Sequence, residues 1–599
     1  MTAFRVWAPR PERVELVLGR EGDAAAGGGT ARVRVAMTPG DGGWWSAEVP
    51  GAGPGTDYGY MLDGEGPFPD PRSPWQPAGV HGLSRTVDHG AFAWTDDGWS
   101  APPLAQAVIY ELHVGTFTPA GTFDGVADRL DDLVALGVTH VELMPVVEFP
   151  GSRGWGYDGV DLFAPHHAYG GPDGLKRLVD ACHARGLAVL IDVVWNHLGP
   201  DGNYLGRYGP FFSDRYRTPW GDAVNFDGRG SDEVRAFVLD NAGLWLRDYH
   251  ADGLRIDAVH AIFDQSATHI LESVAGEVHA LGERLQRRLV AIAESDLNDP
   301  RLVRDVADGG YGLDAQWNDD FRHALHVALT RESDGYHGQY RGLDDVAAAL
   351  RRVFVYDGRY SAFRGRTHGR PVGALPSTRF VGFLQNHDQV GNRALGERIG
   401  SLVAPEAVKA AAALVLLGPF VPLLFAGEEW GASSPFQYFT DHQDPALGAA
   451  VRDGRRREFP AFQRDGIEVP DPQAASTFER SRLDWAERAR EPHASILAWY
   501  RVLIAYRTAH PSVHDGGRPA VALDAGEGWI VVAHGPARLV ANLGPSERTV
   551  TLERPGSWQV VLASAAGVSI AAGAVRLPGW SAALVEPDGP EPIARPPRG

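Results

Sequence analysis

The chain has 599 residues, 44% of them hydrophobic and 10% aromatic: a globular composition, too long for a single core. Its net charge of −20 speaks against a nucleic-acid surface, and its single cysteine, Cys182, excludes an internal disulfide. The longest apolar run, 410–427, is interrupted by Pro419 and Pro422, so it reads as a core helix followed by a buried strand and not as a membrane span.

The opening "MTAFRVWAPR" lacks a basic segment followed by an apolar one, which leads to the expectation of a cytoplasmic protein. Residues 1–100 alternate in period two through "RVELVLG", "ARVRVAM", "DGGWWSAEV" and "TDYGYMLDG", the pattern of a small β-sandwich. Pro102 and Pro103 then end regular structure in "TDDGWSAPPLAQA". From 101 to 524 the rhythm changes. Eight β-branched runs alternate with helical stretches: "AVIYELHVG", "THVELMPV", "LAVLIDVVWN", "GLRIDAV", "LVAIAES", "LDAQWN", "TRFVGFLQNHD" and "VPLLFAGEEW". After the first run, "FDGVADRLDDLVALG" sets Val126, Leu130, Leu133 and Val134 on one helical face, with Gly137 as the stop. Eight strand-then-helix units predict an α/β chain with a (β/α)8 TIM barrel. A doubly wound sheet would call for a glycine-rich phosphate loop after the first strand, and none is present. Residues 431–485 read as an elaborated loop, and "ASILAWYRVLIAYR" as a helix closing the barrel. From 525 to 599, period two returns in "GWIVVAHG", "ARLVANLG", "RTVTLERPG", "SWQVVLAS" and "SAALVEP", a second antiparallel sandwich. Cys182 falls in the helical "LVDACHARG" and reads as inert packing.

Active sites of such barrels sit at the C-terminal ends of the strands. Those ends carry Asp192, Asn196 and His197; then Arg255, Asp257 and His260; then Glu294 and Asp296. The sixth to eighth add Trp317, Asn318, Asp319, Asp320, Asn386, His387, Asp388, Glu428 and Glu429. Any one strand-end aspartate is more often a helix cap. The recurrence of carboxylates, histidines and one arginine at the same end of consecutive strands points instead to hydrolytic chemistry. Arg255 and Asp257 lie two apart and so point to the same side of a strand, where the cation keeps the acid an anion. Glu294 follows the apolar "LVAIA", an environment that raises a carboxyl pKa and suits a proton donor. Two such acids around one acetal suggest glycoside hydrolysis, with Asp388 beside His387 holding sugar hydroxyls. Trp155, Tyr157, Trp317, Trp430, Phe436 and Tyr438 fall on mouth loops, where rings can stack on sugars, core packing being the alternative for each.

Taken in order, "DVVWNH", "GLRIDAVH", "AESD" and "FLQNHDQVGN" resemble the four regions that mark the α-amylase clan, glycoside hydrolase family 13. The resemblance implies Asp257 as nucleophile, Glu294 as acid/base and Asp388 as transition-state stabiliser, with Arg255, His197 and His387 supporting the sugar; His260, at the same strand end as Asp257, is a further candidate for substrate binding. It implies a barrel between two β domains, and "WGYDG" places Tyr157 and Asp158 near the cleavage point. The loop around Asn196 does not resemble the calcium site of many clan members, so no essential metal and no cofactor are expected. "HVGTFTPAGTF", "FTDHQDP" and "GRRREF" resemble the trehalose-releasing branch of the clan. "QWNDDFRHALH" is shared with glycogen branching enzymes, the alternative reading. The reaction implied is hydrolysis of maltooligosyl trehalose or a related α-glucan, paired in metabolism with a maltooligosyl trehalose synthase. A closed pocket for the trehalose end is expected from Asp319, Asp320, His323, Gln389 and Asn392, with Trp430 and Phe436 as stacking surfaces.

Overall fold

The computed structural model describes residues 2–19, 33–459, 468–553 and 557–588. The first residues of "ARVRVAM" and the last of "RTVTLERPG" lie outside that set. In the N-terminal region, Thr2–Trp7, Trp44–Val49 and Thr38–Pro39 form one antiparallel sheet. Val33–Ala36, Val14–Leu18, Asp57–Leu62 and Glu65–Phe68 form the other, with Ser84–Arg85 pairing onto Asp57–Leu62.

Eight parallel strands follow, each inside one of the runs expected: β1 Ile109–Leu112, β2 His140–Leu143, β3 Ala188–Val193, β4 Gly253–Ile256, β5 Val290–Ala293, β6 Ala315–Trp317, β7 Phe380–Phe383 and β8 Val421–Phe425. They pair in sequence and β8 closes on β1. All eight are buried along their length, which is why they read as continuous apolar runs and not as alternation. Ile109, Leu190, Ile292, Trp317, Phe383 and Leu423 fill the barrel interior. Glu111, Asp192 and Glu294 stand two residues further along β1, β3 and β5, so the same inward-facing rows end in charge at the C-terminal mouth.

The stretch after β1 is two helices, Phe123–Ala127 and Leu130–Leu136, not one. The second buries Leu130, Leu133 and Leu136, and Val134, expected on the same face, is exposed. Gly137 ends it at φ 98°, where an added Cβ would stand 2.7 Å from Ile504. The elaborated loop at 431–485 contains a helix, Pro445–Glu458, started by Pro445 and capped by Asp444, whose side chain accepts from Ala446 N–H at 2.8 Å. Two β-hairpins, Phe212–Thr218 with Gly221–Val224 and Arg359–Ser361 with Arg366–His368, are inserted between barrel units.

The closing helix runs His493–Ala509. The C-terminal sheets begin with the edge strand Val521–Asp524, ahead of the boundary expected at 525, and include Ser569–Ala571 and Ala574–Leu577, which the sequence pattern did not reveal. One apolar core runs through all three regions, from Phe4 and Leu16 through Val141 and Leu254 to Ile504, Ile530 and Leu584. Cys182 is buried in it, and burial pushes its thiol pKa up. Among the described residues, no helix is long and apolar enough to cross a membrane.

Candidate active site

Arg255 is fully buried and stands level with Asp192 on the neighbouring strand. Its Nη1 donates to both Asp192 carboxylate oxygens at 2.9 Å and to Oδ1 of Asp257 at 2.8 Å. The guanidinium lies 4.4 Å over the Trp317 ring, so Trp317 is the floor under the arginine and not a surface for sugar. Asn196 turns the same way: its Nδ2 donates to Oδ2 of Asp257 at 2.7 Å. Asp257 is thus fixed by two donors, one of them a buried cation.

Glu294 comes off the end of β5 into the same space. Burial raises its pKa well above the usual carboxylate range, against the opposing pull of Arg255, whose Nη2 is 3.9 Å from Oε2. The same Oε2 accepts the Ala258 N–H at 2.5 Å. Ala258 holds φ 38°, a left-handed conformation that costs a residue with a side chain on the order of 1 kcal/mol. That strain aims the N–H following the nucleophile at the proton donor.

On the far side, His387 N–H and Nδ1 bind Glu111 at 2.9 and 2.5 Å, and Nε2 lies 2.8 Å from Tyr157 Oη. Burial works against its charge, but the Glu111 and Asp388 carboxylates outweigh it and lift the pKa to about 9. His387 is therefore a cation at neutral pH, and its Nε2 lies 3.5 Å from Asp388 Oδ1. Tyr157 in turn donates to Asp192 at 2.5 Å, so Glu111, His387, Tyr157, Asp192 and Arg255 form one hydrogen-bonded chain around the base of the site. Burial lifts Asp192 to about 6, with Arg255 resisting. Glu142 is buried nearby and raised well above the carboxylate range, first by burial and then by Glu111, which makes it a neutral acid. Neither Glu111 nor Glu142 was singled out from sequence, although both interrupt apolar strand runs.

The cleft above has a volume of about 570 Å³. Tyr157, Asp158, His197, Asp257, His260, Glu294, Asp388 and Asn392 all line it, with Trp155 and Tyr438. A second chamber of about 250 Å³ adjoins it and is lined by Asp319, His323 and Gln389; Asp296, Asp388 and Asn392 belong to both. Burial lifts Asp319 to about 7, with Asp296 and Asp388 adding to it.

Three expected pocket residues are elsewhere. Asp320 is buried and accepts from Val355 and Tyr356 N–H at 2.7 Å and from Tyr340 at 2.6 Å, tying the end of β6 to the following loop. Trp430 is fully buried against Trp485, 5.1 Å between ring centres, because its turn is covered by the closing helix. Phe436 is one ring behind the cleft, stacked at 5.2 Å on the hidden face of Trp155. Glu428 and Glu429 are likewise buried, bonded to Tyr500 and Tyr110, and lie outside the mouth.

Several lining residues went unread. Trp220, at the turn of the first inserted hairpin, is 49% exposed and stacks on His197 at 4.8 Å. Tyr336, Phe363 and Arg364 line the second chamber; Val451, Arg455 and Glu458 on helix Pro445–Glu458 line the first. Their signal was weak: aromatic and charged residues in insertions without period.

Two clusters of metal-ligating residues occur among the described residues: Glu148, His166 and His167, and, behind the His323 and Tyr336 rings of the second chamber, His326, Glu332 and His337. In one, His166 Nδ1 accepts the Ala168 N–H at 3.1 Å, which leaves the proton on Nε2. In the other, Glu332 is already held by both terminal nitrogens of Arg393 at 2.9 and 3.0 Å. Neither offers a cation its donors.

Residues 90–209 match the alpha amylase catalytic domain, residues 1–76 match carbohydrate-binding module 48 (isoamylase N-terminal domain), and residues 516–584 match a domain of unknown function. The chain is 52% identical to the malto-oligosyltrehalose trehalohydrolase of Arthrobacter ramosus, over 90% of this chain and 93% of that one. It is 48% identical to that of Rhizobium sp. (strain M-11), over 97% of both. A branching enzyme of Xanthomonas oryzae pv. oryzae is 32% identical over 60% of this chain and 53% of its own. A crystal structure described as a candidate α-amylase from Salmonella typhimurium superposes with a TM-score of 0.87 at 38% identity, covering 98% of this chain and 97% of that one. A pullulanase from Anoxybacillus sp., at 20% identity and a TM-score of 0.71, covers 98% of this chain and 86% of its own and shares the fold. With one buried arginine joining two carboxylates at the mouth of an α-amylase barrel, and with relatives 48–52% identical over 90% or more of its length, the chain belongs to the malto-oligosyltrehalose trehalohydrolases of the α-amylase family.

Proposed function

We propose that the chain hydrolyses the α-1,4 bond next to the terminal trehalose of maltooligosyl trehalose, releasing trehalose and a maltooligosaccharide with retained configuration. The observation that carries this reading is the contrast between two acids in one cleft: Asp257, held by Arg255 and Asn196, and Glu294, kept protonated by burial. Asp257 attacks the anomeric carbon while Glu294 gives its proton to the glycosidic oxygen, and trehalose leaves. Glu294, now a base, takes a proton from water, whose oxygen displaces Asp257 from the glycosyl ester. Asp388 and the cationic His387 hold ring hydroxyls through the transition state.

The larger chamber takes the glucan chain and the smaller one, with Asp319, His323 and Gln389, takes the trehalose end. A wrong end group leaves such polar partners unpaired, and that discriminates strongly. A maltooligosyl trehalose synthase would supply the substrate. The test is to give the protein maltotriosyl trehalose, maltopentaose and amylose separately. Trehalose should appear far faster than any product of maltopentaose, and proton NMR should show the α-anomer of the new reducing end first. Comparable rates on the first two would overturn the specificity, a β-anomer would overturn the roles of Asp257 and Glu294, and new branches on amylose would make the protein a transferase.

A further inference from the structure

Four consecutive residues of the insertion after β8, Asp441 to Asp444, bind three different parts of the molecule. Asp441 accepts from Ser152 N–H at 2.8 Å and from Arg153 at 2.6 Å. His442 is 7% exposed, and its Nε2 lies 3.8 Å from Oδ2 of Asp158 in the main cleft. Gln443 and Asp444 donate their N–H groups, at 2.7 and 3.3 Å, to Oδ2 of Asp201 in the loop after β3. Asp444 also caps helix Pro445–Glu458, which carries Val451, Arg455 and Glu458 to the cleft wall.

Asp201 is itself held from outside the barrel. Its Oδ1 lies 3.1 Å from Nε2 of His81, whose Nδ1 lies 2.7 Å from Tyr204 Oη. His81 stands shortly before Ser84–Arg85, the strand that joins the N-terminal sheet. A path of direct contacts thus runs from the N-terminal region through His81 and Asp201 to the backbone beside His442, and from His442 to Asp158. None of these groups touches Asp257 or Glu294. Asp158 lines the cleft; burial raises its pKa, with His442 and then His197 opposing. The carboxylate has no protein hydrogen bond among the described residues, so it is free to accept sugar hydroxyls, and His442 faces it across the loop.

We propose that His81 and Asp201 form a clamp by which the N-terminal region sets the position of His442, and that His442 positions Asp158 to bind the glucan chain. The proposal deepens the reading of the main cleft as a glucan site and rests on it. His81 and His442 are positioning residues: they act on the hold on substrate and not on bond cleavage.

The experiment is a double-mutant cycle of His81→Ala and His442→Ala, with His442→Gln as the conservative variant, read as KM and kcat on maltopentaosyl trehalose. The His81 side chain is half exposed, so its removal leaves the fold intact. Loss of a partner of this kind raises KM about tenfold for His442→Ala and about threefold for His81→Ala, with kcat within about twofold of wild type. His442→Gln, which keeps a polar side chain facing Asp158, recovers most of the loss. Because both substitutions release the same contact, the double variant is no worse than His442→Ala alone. An unchanged KM in His81→Ala, strictly additive losses, or a fall in kcat at constant KM would each overturn the clamp. If the wild type cleaves amylose and leaves maltopentaosyl trehalose intact, the trehalose reading fails by itself, and the same cycle run on amylose still decides the clamp.

Discussion

A proton donor for glycoside cleavage must hold its proton near neutral pH, and Glu294 does so because it is buried beside an arginine that does not fully compensate. The cost falls on the folded state. A carboxyl whose folded pKa lies above its unfolded value contributes stability that is complete below the unfolded pKa and is lost as pH rises through the folded one. Glu294→Gln removes that loss. The variant should therefore melt higher than wild type, with a gap that widens from pH 5 to pH 8 in scanning calorimetry; a gap that narrows would contradict the burial argument. The same substitution, and Asp257→Ala and Asp388→Asn, should each lower kcat by about three orders of magnitude with unchanged circular dichroism, the scale at which proton transfer and covalent catalysis act. Near-normal turnover in any of them removes that residue from the mechanism. These three acids, Arg255 and His387 were legible as residues because strand period and inward burial fix where they point. Glu111 and Glu142 follow the same period and could have been read the same way.

At the scale of elements, the barrel strands were legible and their surroundings were not. Each strand is a short apolar run whose partners are its chain neighbours, so local pattern suffices. The eighth strand end shows where adjacency fails. Trp430 directly follows a barrel strand, yet its turn is roofed by helix His493–Ala509 and the ring faces the core. Trp220 lies far from any barrel strand, yet its hairpin folds back over His197. The two tryptophans should separate cleanly. Trp430→Ala should cost about 3 to 5 kcal/mol of stability with KM unchanged, as for other large buried side chains. Trp220→Ala should raise KM with the melting temperature unchanged, measured by steady-state kinetics and calorimetry; the reverse pattern would place Trp430 at the substrate and Trp220 in the core. The helix at Leu130–Leu136 makes the same point: it buries Leu130, Leu133 and Leu136 and leaves Val134 exposed, so packing, not the apolar spacing alone, chooses which of two adjacent stripes turns inward.

For the whole molecule, the three regions expected from sequence share one core. Helix Pro405–Leu416 packs between the barrel and the C-terminal strands Ala537–Asn542 and Ser581–Pro587, and Tyr506 on the closing helix donates to Glu586 at 2.6 Å. Calorimetry should therefore record a single cooperative transition; three separable ones would mean that the regions are autonomous domains. The groups assigned to bond cleavage stand on the barrel strands and their immediate ends, while Trp220, Phe363 and Arg455 line the two chambers from insertions between the strands. An insertion can lengthen, shorten or be exchanged without moving Arg255 or its two carboxylates. What the enzyme cuts and how it cuts are thereby inherited in separate stretches of the chain, so that new glucan preferences can arise by drift in the loops while the reaction itself stays fixed.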